Sequence, residues 1–231
     1  MIKRRSFIKS SALGIFSFLL PQNIFSLNKK IPNVLILGDS ISIGYYPFVK
    51  KALLGKVNLF RPTLKNGHFE NCAGTTNGVV KISEWLGETQ WDLIHFNFGL
   101  HDIKHVHPVT GKNSKSFNDP HQASPKEYKK NLTFIVKKIK KTKAKVIFAT
   151  TTPYPNSGLR PARKPGMHNV YNSVALKVMK KHKISINDLH AYVLPRMEQL
   201  QKPQNVHFTE EGSESLAEVV ASSIKNHLKI N

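Results

Sequence analysis

Apolar residues along this chain alternate between unbroken short runs and helically spaced stretches. Asn33-Val34-Leu35-Ile36-Leu37 is nearly all apolar and closes on Gly38, the pattern of a strand buried on both faces. Similar short runs at 57–60, 93–98, 145–150 and 184–187 predict four more strands. Between them, residues 48–54, 79–86 and 170–181 carry helical spacing, and a last helix is predicted over 210–228. A further helix starts at Ser124-Pro125-Lys126-Glu127, where a serine cap, a proline in the first turn and a glutamate three residues on coincide. Its apolar positions are Tyr128, Leu132, Ile135, Val136 and Ile139. Strands alternating with helices at this spacing predict an α/β sandwich around a mostly parallel sheet of about five strands. Three polar segments interrupt it, at 61–77, 100–124 and 153–165. The second is long for a compact domain, which marks a lid or binding loop.

The extreme N-terminus departs from that pattern. Met1-Ile2-Lys3-Arg4-Arg5-Ser6-Phe7-Ile8-Lys9 is basic, and an apolar stretch follows from Ala12 to Leu20 before Pro21. A basic head before a short apolar core is an export signal, too short to cross a bilayer comfortably as a stable helix. The paired arginines followed by Phe7 and Lys9 fit the twin-arginine type. Residues 1–27 are therefore expected to direct export to the periplasm or beyond, and residues 28–231 to form one domain.

Composition sharpens this picture at two points. The chain has 231 residues, of which 40% are hydrophobic, enough for a sizeable core, and a single cysteine, Cys72. An intrachain disulfide framework and a multi-cysteine zinc site are both excluded. Thirty-five Lys and Arg against fourteen Asp and Glu give a net charge of +21. Such a chain attracts polyanions. Loss of Lys3, Arg4, Arg5 and Lys9 with the export segment lowers that charge by four, to +17. For an exported protein, acidic glycans and membrane surfaces then outrank nucleic acid.

In open parallel sheets, reactive groups gather outside the carboxyl ends of the strands. Gly38-Asp39-Ser40 follows the first strand, Gly74 lies after the second, and Gly99-Leu100-His101-Asp102 follows the third. His207 precedes the last helix. No Gly-x-Gly-x-x-Gly follows the first strand and no P-loop is present, so nucleotide-binding readings lack their glycines. A serine hydroxyl is a weak nucleophile until a base takes its proton, and imidazole titrates in the right range. A serine at a strand-to-helix turn exposes its oxygen beside backbone N–H groups suited to a developing negative charge.

Together these positions resemble the SGNH (GDSL) hydrolase family over essentially the whole of residues 28–231, in a secreted carbohydrate-esterase-like branch. The resemblance implies the flavodoxin-like, three-layer α/β/α sandwich of that family. It implies Ser40 as nucleophile, His207 as general base, and an oxyanion hole made by Ser40, Gly74 and His101. His101 stands where the family keeps an asparagine in its Gly-x-Asn-Asp block. Imidazole also donates one hydrogen bond; a cationic ring would hold an oxyanion more strongly but would titrate near neutral pH. The family's aspartate, three residues before the base, is here Gln204. Either Ser40 and His207 act as a dyad, or Gln204, Asn205, Glu210, Glu211 or a backbone carbonyl holds the second ring nitrogen. Asp39 and Asp102 are expected to brace the loops rather than react.

His101, His105 and His107 lie within seven residues, but no HExxH-type motif accompanies them. No metal ligand and no cofactor is assigned. His105 and His107, with Lys104, Lys112 and Lys115, are expected to line the substrate approach. Arg160 and Arg163 fall in the loop after the fourth strand and suit a carboxylate or sulfate subsite. The expected function is a serine esterase that removes acyl groups, acetyl foremost, from an acylated acidic polysaccharide or oligosaccharide. Nucleic acid, a stable membrane span and an obligate protein partner are not expected. The alternatives are a catalytically weak polysaccharide-binding protein on a hydrolase scaffold, and a lipid esterase or thioesterase.

Overall fold

The computed structural model describes Met1, residues 30–156 and residues 158–231. The chain divides into two units, Met1–Lys30 and Ile31–Asn231, and the second carries the sheet and every helix named below. Apart from Met1, the expected export segment lies outside the described residues.

Five parallel strands form one sheet in the order β2-β1-β3-β4-β5. They are β1 (Asn33–Leu37), β2 (Asn58–Phe60), β3 (Leu93–Phe96), β4 (Lys145–Ala149) and β5 (Ser185–Asn187). Val34 to Leu37 and all of β3 are buried, as their unbroken apolar runs require. In chain order the helices are α1 (Ser40–Ala52), α2 (Thr75–Leu86), α3 (Leu100–Ile103), α4 (Pro125–Lys141), α5 (Met167–His182), α6 (Leu189–Val193), α7 (Met197–Leu200) and α8 (Glu210–Leu228). Helices α1 and α8 pack together, while α4 packs between α2 and α5, so the sheet is covered on both sides. This is the α/β/α sandwich that the sequence pattern predicts.

Helix α4 follows its pattern closely. The Ser124 hydroxyl accepts from the Glu127 N–H at 3.3 Å, and all five of its predicted apolar positions are buried. Helix α1 does not: it starts at Ser40, eight residues before the stretch predicted from spacing. Gly44 and Pro47 interrupt its pattern, yet Asp39 caps it and Ile41, Tyr45, Tyr46 and Val49 face the core. The same happens at α2, which begins at Thr75 directly after Gly74. In both cases the active-site loop runs straight into the helix.

The segment 100–124 is not an open loop. After α3 it pairs with itself through bridges His105–His121 and Val106–Asn113. It also bonds to the loop after β4, with His105 N–H donating to Ala162 O and Ala162 N–H to Ser114 O. The two polar segments thus form a joined rim at the carboxyl edge of the sheet.

Candidate active site

Ser40 is the first residue of α1, and the Asp39 carboxylate accepts from the Ile41 N–H at 3.0 Å, fixing the turn. Asp39 is buried, and burial raises its carboxyl above the usual range. From the other side, the Cys72 N–H donates to Gly38 O at 3.2 Å, which ties the second block to the first. Burial pushes the Cys72 thiol up to about 12, so it stays protonated.

His207 Nε2 lies 2.9 Å from Ser40 Oγ. Its Nδ1 lies 2.8 Å from Asn205 Oδ1, and the His207 backbone N–H donates to the same oxygen at 3.0 Å. The backbone N–H can only donate, so the atom facing it must be the amide oxygen. Nδ1 must then carry the ring proton, which leaves Nε2 free to accept from the Ser40 hydroxyl. Burial, Lys202 and Arg163 lower the His207 pKa below the ordinary histidine value. Gln204, Glu210 and Glu211 make no hydrogen bond to the ring; Asn205 fills that place. Gln204 lies at φ +51° and faces the cavity with its neighbour.

A cavity of about 750 Å³ opens beside this pair, bordered by Ser40, His207, His101, Lys104, Arg160 and Arg163. Asn71, Asn113, Gln204 and Asn205 add amide groups to its wall. A second cavity of about 410 Å³ borders Ser40 and His207 from the other side, beside Ile41, Phe48, Lys202 and Phe208. His101 is carried by α3, whose start needs Gly99: at φ 158°, a Cβ there would stand 1.9 Å from Thr151 Oγ1. The His101 ring is neutral. Burial, with Lys104, Arg163 and His207 nearby, pushes its pKa down to about 3, and its Nδ1 has no partner among the described residues. The ring therefore does not titrate near neutral pH, contrary to the behaviour expected of a cationic oxyanion ligand.

Gly74 is buried at the start of α2 and is not among the residues bordering the cavity. A Cβ on it would stand 2.7 Å from Gln122 Nε2 and 3.1 Å from Asp102 Oδ1. Asp102 Oδ1 accepts from the Thr75 N–H at 2.8 Å and from the Thr75 hydroxyl. It thereby joins the block that carries His101 to the block that carries Gly74. Burial pushes the Asp102 carboxyl up to about 7.

Arg163 is buried against the cavity, its Nε donating to Leu100 O at 3.0 Å. Arg160 borders the cavity and is exposed. His105 and His107 do not line it. His105 is buried with Nδ1 2.5 Å from Asp119 O, and its ring packs against His121 and Phe117. His107 is exposed, and its Nδ1 accepts from the N–H groups of Val109 and Thr110. Both hold the rim together rather than face the cavity. Of the neighbouring lysines, Lys104 borders the cavity, whereas Lys112 and Lys115 do not. Among the described residues, no three metal-ligating side chains converge. Asn71 and Asn113 escape sequence reasoning because each sits in an aperiodic polar segment.

A search of curated proteins finds no match to this chain. Solved structures resemble it in fold. A lipase/acylhydrolase from Enterococcus faecalis is 21% identical with a TM-score of 0.66, covering 85% of this chain and 97% of its own. An acetyl xylan esterase, AlAXEase, is 16% identical with a TM-score of 0.64 and coverages of 83% and 99%. An acetyl-xylooligosaccharide esterase from Geobacillus is 16% identical with a TM-score of 0.65, covering 84% and 94%. The profile of the GDSL-like lipase/acylhydrolase family matches residues 36–214, a span running from β1 through His207 into α8. The chain belongs to that family, and is a hydrolase acting on ester bonds.

Proposed function

We propose that the protein is an exported serine esterase that removes short acyl groups, acetyl foremost, from a carbohydrate. The observation that carries this reading is the 2.9 Å contact of Ser40 with a His207 whose tautomer Asn205 fixes. Ser40 Oγ attacks the acyl carbon while its proton passes to His207 Nε2. The Ser40 N–H and His101, which border the cavity, hold the oxyanion, and the family resemblance adds the Gly74 N–H behind them. Collapse breaks the ester bond, and His207 returns the proton to the departing sugar oxygen. Water, deprotonated by His207, then cleaves the acyl-Ser40 ester and releases the acid.

The cavity wall supports a polar alcohol component. Amide, imidazole and cationic groups dominate it. Lys104, Arg160 and the buried Arg163 present positive charge to the substrate, which suits an acidic sugar. Arg163 has no carboxylate within 4.0 Å among the described residues. The acetyl esterases of similar fold act on xylan or xylooligosaccharide, as their names state. The basic, apolar N-terminus supports placement in the periplasm or outside the cell, with residues 28–231 as the working domain.

The test is hydrolysis of a chromogenic acetate ester by wild type and Ser40→Ala, followed by acetate release from acetylated acidic and neutral polysaccharides. Undiminished hydrolysis by purified Ser40→Ala refutes the mechanism. Equal binding of acidic polysaccharide by both proteins, without cleavage by either, establishes a binding protein instead.

A further inference from the structure

The edge of the sheet opposite Ser40 is rich in lysine. In a parallel sheet all strands start at one edge, and the helices that follow them end there. Helix α1 ends in Lys50 and Lys51, α4 in Lys140 and Lys141, and α5 in Lys180 and Lys181. All six are exposed. Lys56, Lys143 and Lys183 then precede the starts of β2, β4 and β5, and Lys145 opens β4 itself. Two contacts bind the elements into one surface: Lys140 Nζ donates to His182 O at 3.2 Å, and Lys145 Nζ to His227 O at 2.6 Å.

A few lysines at helix carboxyl ends are ordinary, because they complement the helix dipole. Lys183 caps α5 and Lys143 follows the α4 cap Thr142, so these two serve the same dipoles, whereas Lys56 and Lys145 stand beyond the helix ends. Opposing charge at this edge is sparse: Glu84, Glu88, Asp92 and the terminal carboxylate of Asn231. Glu84 is engaged with Lys81, and Asp92 accepts from the Asn33 N–H. Among the described residues, the only ion pairs within 4.0 Å are those of Lys81 with Glu70 and Glu84, so the lysines of this edge have no carboxylate partner. The cluster repels itself, a cost that an anionic partner would relieve.

We propose that this lysine edge docks on an anionic phospholipid surface, with the Ser40 cavity turned away from it toward the polymer. The charges stand on helix ends from both sides of the sheet, Lys50 and Lys51 of α1 with the exposed Lys229 that caps α8 on one, and those of α4 and α5 on the other. That is a two-dimensional array, and it matches a plane of headgroups. A linear polyanion would meet only one row of it. The proposal does not depend on the esterase reading, since the surface lies at the other end of the strands.

The experiment is co-sedimentation of the full chain with vesicles of phosphatidylcholine alone or mixed with phosphatidylglycerol, at low and high salt. One variant combines Lys50→Glu, Lys141→Glu, Lys180→Glu and Lys181→Glu. A second, with the same charge change elsewhere, combines Lys65→Glu, Lys112→Glu, Lys115→Glu and Lys126→Glu. Thermal unfolding verifies that both are folded. Wild type is expected to bind the anionic vesicles alone and to be released by salt; the first variant weakens by more than about tenfold and the second by less than about threefold. Equal wild-type binding to neutral vesicles overturns the proposal, as does salt-insensitive binding, which needs no variant to detect. Equal loss in both variants assigns the effect to net charge and overturns the proposal too. Loss of polygalacturonate binding with vesicle binding kept assigns the edge to an acidic polymer instead.

Discussion

Replacing Asn205 tests the arrangement at its least usual point. During attack His207 becomes an imidazolium, and its Nδ1–H bond to Asn205 Oδ1 at 2.8 Å becomes charge-assisted. Hydrogen bonds to charged groups contribute about 1.5–3 kcal/mol. At about 1.36 kcal/mol per tenfold in rate, Asn205→Ala should lower kcat by about 10- to 150-fold. KM should barely move, because the bond strengthens only as charge develops. Asn205→Asp keeps an acceptor for both His207 N–H groups and adds a negative charge. His207 is partly desolvated yet open to solvent on one side, so the attraction is screened to the order of 1 kcal/mol. That raises the His207 pKa. The base must be neutral to work, so a raised pKa moves the acid limb of the rate profile to higher pH, while the plateau rate is kept. The assay is hydrolysis of a chromogenic acetate ester from pH 4 to 9, with kcat and KM separated. Wild-type kcat in Asn205→Ala, or an Asp variant as slow as the Ala variant, would refute the role given to this side chain.

Lys202→Glu removes one of the charges that lower the His207 pKa, so its acid limb should also move to higher pH in the same assay. His101→Ala should reduce kcat by about 10²–10³, the usual effect of one lost oxyanion donor. His101→Asn, restoring the family's residue, should recover most of it, and neither change should alter the pH profile between 5 and 8, since the ring is already neutral there. Asp102→Asn should keep the fold at pH 6, where burial already holds the carboxyl protonated. Asp102→Ala strands the Thr75 N–H and hydroxyl and should cost about 1–3 kcal/mol in denaturant unfolding. His95 is fully buried with its pKa pushed down to about 3, so the unfolded chain binds its proton first, from about pH 6.5 downward. Stability should therefore fall on acidification between those values, by about 1.4 kcal/mol per pH unit for this histidine. Unfolding of His95→Leu should show a correspondingly flatter dependence.

The strands were legible because burial on both faces leaves an unbroken apolar run, which needs no partner to be recognised. Helix α4 was legible through its cap and its spacing. The starts of α1 and α2 were not, because these helices begin inside functional turns. Ser40 occupies a first-turn position that presents its oxygen to the cavity, Thr75 one that bonds to the buried Asp102, and Gly44 and Pro47 break the apolar period. The segment 100–124 was illegible for a different reason. Its order comes from single bridges, buried imidazoles and bonds to the distant segment around Ala162, none of which has a period.

The acceptor for His207 shows how a motif can shift by one residue without losing its chemistry. Sequence reasoning looked three residues before the base, at Gln204, and could not rank the alternatives. Gln204 takes a left-handed φ of +51°, which turns the chain and offers Asn205 to the ring instead. Asparagine is suited to this place by its length. Its side-chain oxygen reaches the N–H two residues on, the bond that Asn and Asp form in tight turns, here at 3.0 Å. Held there, the same oxygen faces Nδ1 of that residue's own ring. Backbone turn and base orientation are thus set by one atom. A neutral amide suffices to fix the tautomer, although it stabilises the imidazolium less than a carboxylate would. Lys202 and Arg163, which lower the His207 pKa, act in the same direction. The base is consequently weaker but stays unprotonated further into acid, a balance suited to a positively charged cavity wall.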